Sequence, residues 1–105
     1  MNLFDLPARL PEKELTEVLS DNGSVRVERI ISTGQVSPFG FWYDQEEDEW
    51  VFLLQGEAEL TFADGSVRKL LAGDALFLPA HLKHRVSASS QEPPCVWLCV
   101  FGALA

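Results

Sequence analysis

Two histidines and one dense acidic run are the side chains in this 105-residue chain best suited to chemistry. The histidines are His81 and His84, and the run reads FWYDQEEDEW from Phe41 to Trp50. An imidazole titrates close to neutrality, so it can relay a proton or ligate a metal. Carboxylates can do either, or can simply hold water. Glu46, Glu47 and Asp48 read as a solvated turn between two strand-like segments. Glu49 differs, because the apolar run WVFLL that follows draws it toward the core. A carboxylate entering a low-dielectric interior must be paired, metal-bound or protonated. His84 shares a strand face with Val86 and Ala88, which places it inward, so a Glu49–His84 pair is the simplest metal-free expectation. Trp42 and Tyr43 suit a pocket mouth, where an apolar ring with a polar tip meets a small ligand, with core packing as the alternative. His81 joins them as a candidate ligand-binding residue.

The remaining reactive types carry weaker signals. Cys95 and Cys99 would share a strand face about 13 Å apart, too far for a disulfide, and read as buried thiols. Arg26, Arg29 and Arg85 alternate with apolar residues, and an inward one would suit an anionic ligand, whereas outward ones would pair with surface acids. There is no phosphate-cradling glycine loop and no nucleophilic Ser or Cys motif.

The elements that must position these residues are mostly strands. Pro11 to Ser20 has Leu15, Val18 and Leu19 at helical spacing and Asp21-Asn22-Gly23 as a stop, which predicts one short amphipathic helix. Trp50 to Leu54 is an unbroken apolar run, as expected for a strand buried on both faces. Glu57 to Phe62 alternates cleanly, and the Asp64-Gly65 turn predicts a hairpin with Val67 to Leu71. Ala75 to Leu78, His84 to Ser89 and Cys95 to Phe101 complete the series. Short strands at this spacing predict an all-β barrel or sandwich. Residues 1–23 are expected to form an N-terminal extension with the helix, and 24–105 the all-β domain.

Composition narrows the function classes. The length fits one domain, and 47% hydrophobic residues can fill a core. A formal net charge of -8 repels phosphate backbones and anionic lipid, which argues against nucleic-acid and membrane-surface roles. The longest apolar runs fall far short of the roughly 20 residues that span a bilayer. MNLFDLPARLPEKEL lacks the basic-then-apolar order of a secretory signal, so a cytoplasmic location is expected.

Two spaced patterns resemble the motifs of the cupin superfamily, small β-barrels of the jelly-roll type. The first family motif is G-x5-H-x-H-x(3,4)-E-x6-G, and Glu49, WVFLLQ and Gly56 match its second half. The second is G-x5-P-x-G-x2-H-x3-N, matched by Gly73, Pro79 and His84, with His81 and Ala88 replacing its second glycine and its asparagine. Family members often hold a divalent metal with the histidines and glutamate of these motifs. Here the first motif has no histidine: its two histidine places fall on Tyr43 and Gln45 or on Trp42 and Asp44. The resemblance therefore implies a cupin-like jelly-roll barrel, a homodimer, and a metal site of Glu49 and His84 with Asp44 or Gln45 as substitutes. Such an oxygen-rich set would tilt toward loosely held Mn, Fe, Ni or Zn. Three functions stay open: a barrel binding a small molecule such as a sugar or carboxylate, a metal-dependent dioxygenase or isomerase, and a closed structural or regulatory module.

Overall fold

The computed structural model describes all residues from Met1 to Ala105. Eight strands follow in chain order: β1 (Leu15–Asp21), β2 (Arg26–Ser32), β3 (Asp48–Gln55), β4 (Glu57–Phe62), β5 (Val67–Leu71), β6 (Ala75–Leu78), β7 (His84–Ser89) and β8 (Cys95–Gly102). They form two antiparallel sheets, a five-stranded one ordered β1-β2-β8-β3-β6 and a three-stranded one ordered β5-β4-β7. The architecture is all-β and cupin-like, but it corrects the expected barrel. Neither sheet closes on itself, and the molecule is a jelly roll of two facing sheets.

The expected N-terminal helix is also corrected, since the chain contains no helix. Residues Leu15 to Asp21 instead pair along β2, from Leu15 opposite Ile31 to Asp21 opposite Arg26. A helix of about ten residues is marginal on its own in water. A strand that satisfies its backbone on β2 and places β-branched Thr16 and Val18 on a pleated surface outweighs that weak helical spacing. The Asp21-Asn22-Gly23 signal is the hairpin turn itself. Asn22 Oδ1 accepts from the amides of Ser24 and Val25 at 2.9 and 2.8 Å, and Gly23 takes φ +87°.

The core lies between the sheets. Val51 and Leu53 of β3, Leu60 of β4, Leu70 of β5 and Trp97 of β8 belong to one buried cluster. Strand β3 is buried on one face only, because Trp50 stays 38% exposed and stacks beside Phe52 and Phe77 on the outer side. Cys95 and Cys99 are free, buried thiols.

The loop joining β2 to β3 lies along the outer edge of β7. Ser37 bonds Val86 in both directions, and Tyr43 forms an isolated antiparallel bridge with His84. This covers an edge that would otherwise expose unpaired backbone groups. It also fixes Tyr43, Gln45 and His84 together. No helix is long and apolar enough to cross a membrane.

Candidate functional site

Inward-facing residues of seven strands, closed by the strapped loop, leave a cavity of about 210 Å³ between the sheets. Strand β3 turns Glu49 and Val51 into it, β7 supplies His84 and Val86, and β2 and β8 add Glu28 and Cys99. Glu14 and Thr16 come from the N-terminal segment, Tyr43 and Gln45 from the loop. The wall is mostly apolar, with a few converging polar groups, as small-ligand sites usually are. A second cavity shares Glu14, Tyr43 and Val86 with it.

Two of its polar groups are deeply buried, with Glu49 6% and His84 5% exposed. Desolvation raises the Glu49 pKa above its ordinary value, and the neighbouring Cys99 thiol and Gln45 amide offset only part of the rise. The Gln45 amide donates to Glu49 Oε1 across a long 3.4 Å. Burial and the nearby Glu49 push the Cys99 thiol well above its usual range. Desolvation lowers the His84 pKa, which favours the neutral imidazole. Its Nδ1 lies 2.8 Å from the Leu82 carbonyl oxygen, an acceptor only. That contact assigns the proton to Nδ1 and leaves a lone pair on Nε2. Tyr43 stacks on the ring at 5.3 Å between centroids and fixes its plane.

Glu49 and His84 form no ion pair or hydrogen bond with each other, so the metal-free pair expected from the sequence is not made. Both groups keep their free atoms for the cavity. The interior beside His84 is open, not packed shut.

The other candidates divide between the cavity and the rim. Tyr43, Gln45, Glu49 and His84 line the cavity; Trp42, Asp44 and His81 do not. Asp44 turns outward, its Oδ1 2.8 Å from His81 Nδ1, with both side chains exposed. Trp42 is 37% exposed. Asp48 opens β3 instead of lying in the solvated turn expected of it, and it accepts from the backbone amides of Ala80 and Leu104 at 2.9 and 3.0 Å, bonds that lower its pKa. Glu47 pairs with Arg26 at 3.2 Å. Arg29 is buried on the opposite face of β2, bound to Glu17 and to the Leu3 and Asp5 carbonyls.

No three His, Cys, Asp or Glu side chains converge as a metal cluster. Of the residues expected to hold a metal, with Asp44 turned away, one imidazole, one amide and a carboxyl that burial biases toward its protonated form face the cavity. That set does not fit a firmly held transition metal, which favours several deprotonated or imidazole ligands.

Sequence reasoning missed Glu14, Thr16, Glu28 and Cys99. The first two were hidden by the helical reading of Pro11 to Ser20. Glu28 was legible in the alternation of β2 with Ile30, and Cys99 in the i, i+2 face that it shares with Trp97 and Phe101.

Similarity to known proteins agrees with this architecture. The "Cupin domain" family model matches residues 29–101. A Ralstonia eutropha JMP134 crystal structure, named as a proposed mannose-6-phosphate isomerase, is 42% identical over 99% of this chain and 97% of its own, with a TM-score of 0.90. A cupin superfamily protein from Desulfitobacterium hafniense DCB-2 shares the fold at 24% identity, covering 94% of this chain and 84% of that one, with a TM-score of 0.77. KdgF from Halomonas sp. does so at 19% identity, covering 92% and 86%, with a TM-score of 0.72. No curated protein matches the chain. The matched span covers most of the sheet framework and both cavity-facing motif residues, and on that ground the chain belongs to the cupin family.

Proposed function

We propose that this cupin binds a small hydroxylated carbonyl compound of the sugar type and isomerises it by proton transfer, with Glu49 and His84 as the acid–base groups. One observation carries the reading: two buried titratable groups face a single cavity without neutralising each other. The name of the 42% identical Ralstonia protein supports the sugar class and the isomerase reaction.

A raised pKa makes ionised Glu49 a stronger base, which suits a group that must take and return a carbon-bound proton. Ionised Glu49 removes the proton from the carbon beside the substrate carbonyl. Neutral His84 accepts the proton of the adjacent hydroxyl at Nε2 and passes that proton to the carbonyl oxygen, giving an enediolate. Glu49 then protonates the neighbouring carbon. The Leu82 carbonyl holds the imidazole in the required tautomer. These steps use the chain's own residues without a metal.

Proton NMR of free aldoses and ketoses and their 6-phosphates, incubated with the protein in D2O, tests this. Deuterium entering the carbon next to the carbonyl, with interconversion of the two sugars, is expected for one member. Exchange that is absent throughout, or unchanged in Glu49→Gln, would refute the isomerase. Saturable binding without exchange would favour a cupin that binds its ligand without turnover.

We also propose that the chain pairs with a second copy through the outer face of β3 and β6, where Trp50, Phe52 and Phe77 form a partly exposed aromatic cluster. Its apolar character supports the homodimer implied by the cupin resemblance.

A further inference from the structure

The charge of the cavity wall limits the ligand. Three carboxyl groups, Glu14, Glu28 and Glu49, line the space, and no lysine or arginine does. Arg26, the guanidinium bonded to Glu28 of the wall, is already engaged: its Nε donates to Glu28 at 2.7 Å, its Nη1 lies 3.2 Å from Glu47, and its charge sits 4.4 Å over the Phe101 ring. An anionic group placed here would be desolvated with no lysine or arginine on the wall to pair it, which is costly. Nearby carboxylates would add repulsion that low dielectric strengthens.

The polar atoms suit hydroxyl groups better. Burial raises the pKa of Glu49. A carboxyl that holds its proton longer both donates and accepts, as does the Gln45 amide, and His84 Nε2 accepts. Glu28 is compensated by Arg26 at 2.7 Å. The unpartnered Nε2 on a 5% exposed histidine points to a ligand independently of the acidic residues.

We infer that the cavity selects an uncharged, unphosphorylated polyhydroxy carbonyl compound and rejects the corresponding phosphate ester. The inference rests on the small-sugar reading above and adds a substrate class that the mannose-6-phosphate name of the Ralstonia protein does not give.

Isothermal titration with D-mannose and with D-mannose 6-phosphate tests it on the whole chain at fixed ionic strength. The free sugar is expected to bind at least about tenfold more tightly, as an unpaired buried charge requires. Thr16→Lys, which adds a cation at the wall, is expected to narrow or reverse that ratio, and Glu28→Gln, which releases Arg26, to move it the same way. The two variants guard against misfolding of either. Equal or tighter phosphate binding by the wild type would overturn the charge argument and leave the sugar reading intact. A folded variant whose ratio does not move would also overturn it. Binding of neither sugar would bring down the small-sugar reading and this inference with it.

Discussion

At the scale of single residues, the account rests on the opposite titration shifts of Glu49 and His84. Glu49 has its folded pKa above the ordinary 4.5, so its contribution to stability is full below that value and is lost as pH rises through the raised pKa. His84 has its folded pKa below 6.5, so its contribution is present above that value and is lost as pH falls through the lowered one. Thermal melts from pH 4 to 9 should therefore show Glu49→Gln gaining on the wild type as pH rises from about 4.5. A constant offset between the two curves would contradict the buried carboxyl. His84→Ala should lower kcat/KM on an accepted sugar by roughly 10²–10⁴-fold, the usual range for one acid–base group. Protein purified without chelator or affinity tag should carry well under one equivalent of transition metal. About one equivalent, lost in Glu49→Gln and His84→Ala, would show that the donor set binds better than its chemistry suggests. The inward positions of these two residues were legible from WVFLL and from the β7 alternation. Their lack of mutual contact was not, because it depends on the separation of two sheets.

At the scale of elements, turn glycines separate general backbone strain from site-specific packing. Gly65 sits at φ +89° with open space where a side chain would begin, so Gly65→Ala should cost about 1–2 kcal/mol through backbone strain alone. Gly56 has nearly the same φ, +91°, but a Cβ there would meet Ser90 Oγ at 2.7 Å and Cys95 Sγ at 2.9 Å. Gly56→Ala should cost about 3 kcal/mol or more by chemical denaturation, since overpacking adds to the strain. Equal costs would mean that the Cys95 region yields. The hairpin at Asp64-Gly65 and the strands from Glu57 to Ser89 were readable because local turn chemistry and period-two alternation agree there. Leu15 to Asp21 was misread because Leu15, Val18 and Leu19 also satisfy helical spacing, and pairing with β2 decides between the two. The double burial expected of Trp50 to Leu54 failed for a related reason, since an apolar run does not reveal whether a second layer covers its outer face.

At the scale of the whole molecule, two open sheets and one strapped loop replace a closed barrel. The sequence resemblance identified the fold family, but closure depends on pairing between distant edges, which no local pattern records. The open arrangement leaves the aromatic outer face of β3 and β6, and Trp50→Glu should shift light-scattering mass from dimer toward monomer if a second copy covers it. A wild-type monomer, or a dimer unmoved by Trp50→Glu, would contradict that pairing. The cavity is the feature on which the functional account depends, and nitrogen NMR of the His84 imidazole reads it directly. During titration with D-mannose, the His84 Nε2 resonance should move saturably while Nδ1, held by Leu82, moves little, and Glu49→Gln should weaken the response. A His84 Nε2 signal that stays fixed up to saturating sugar, or moves identically in Glu49→Gln, would contradict the claim that these two residues share a ligand.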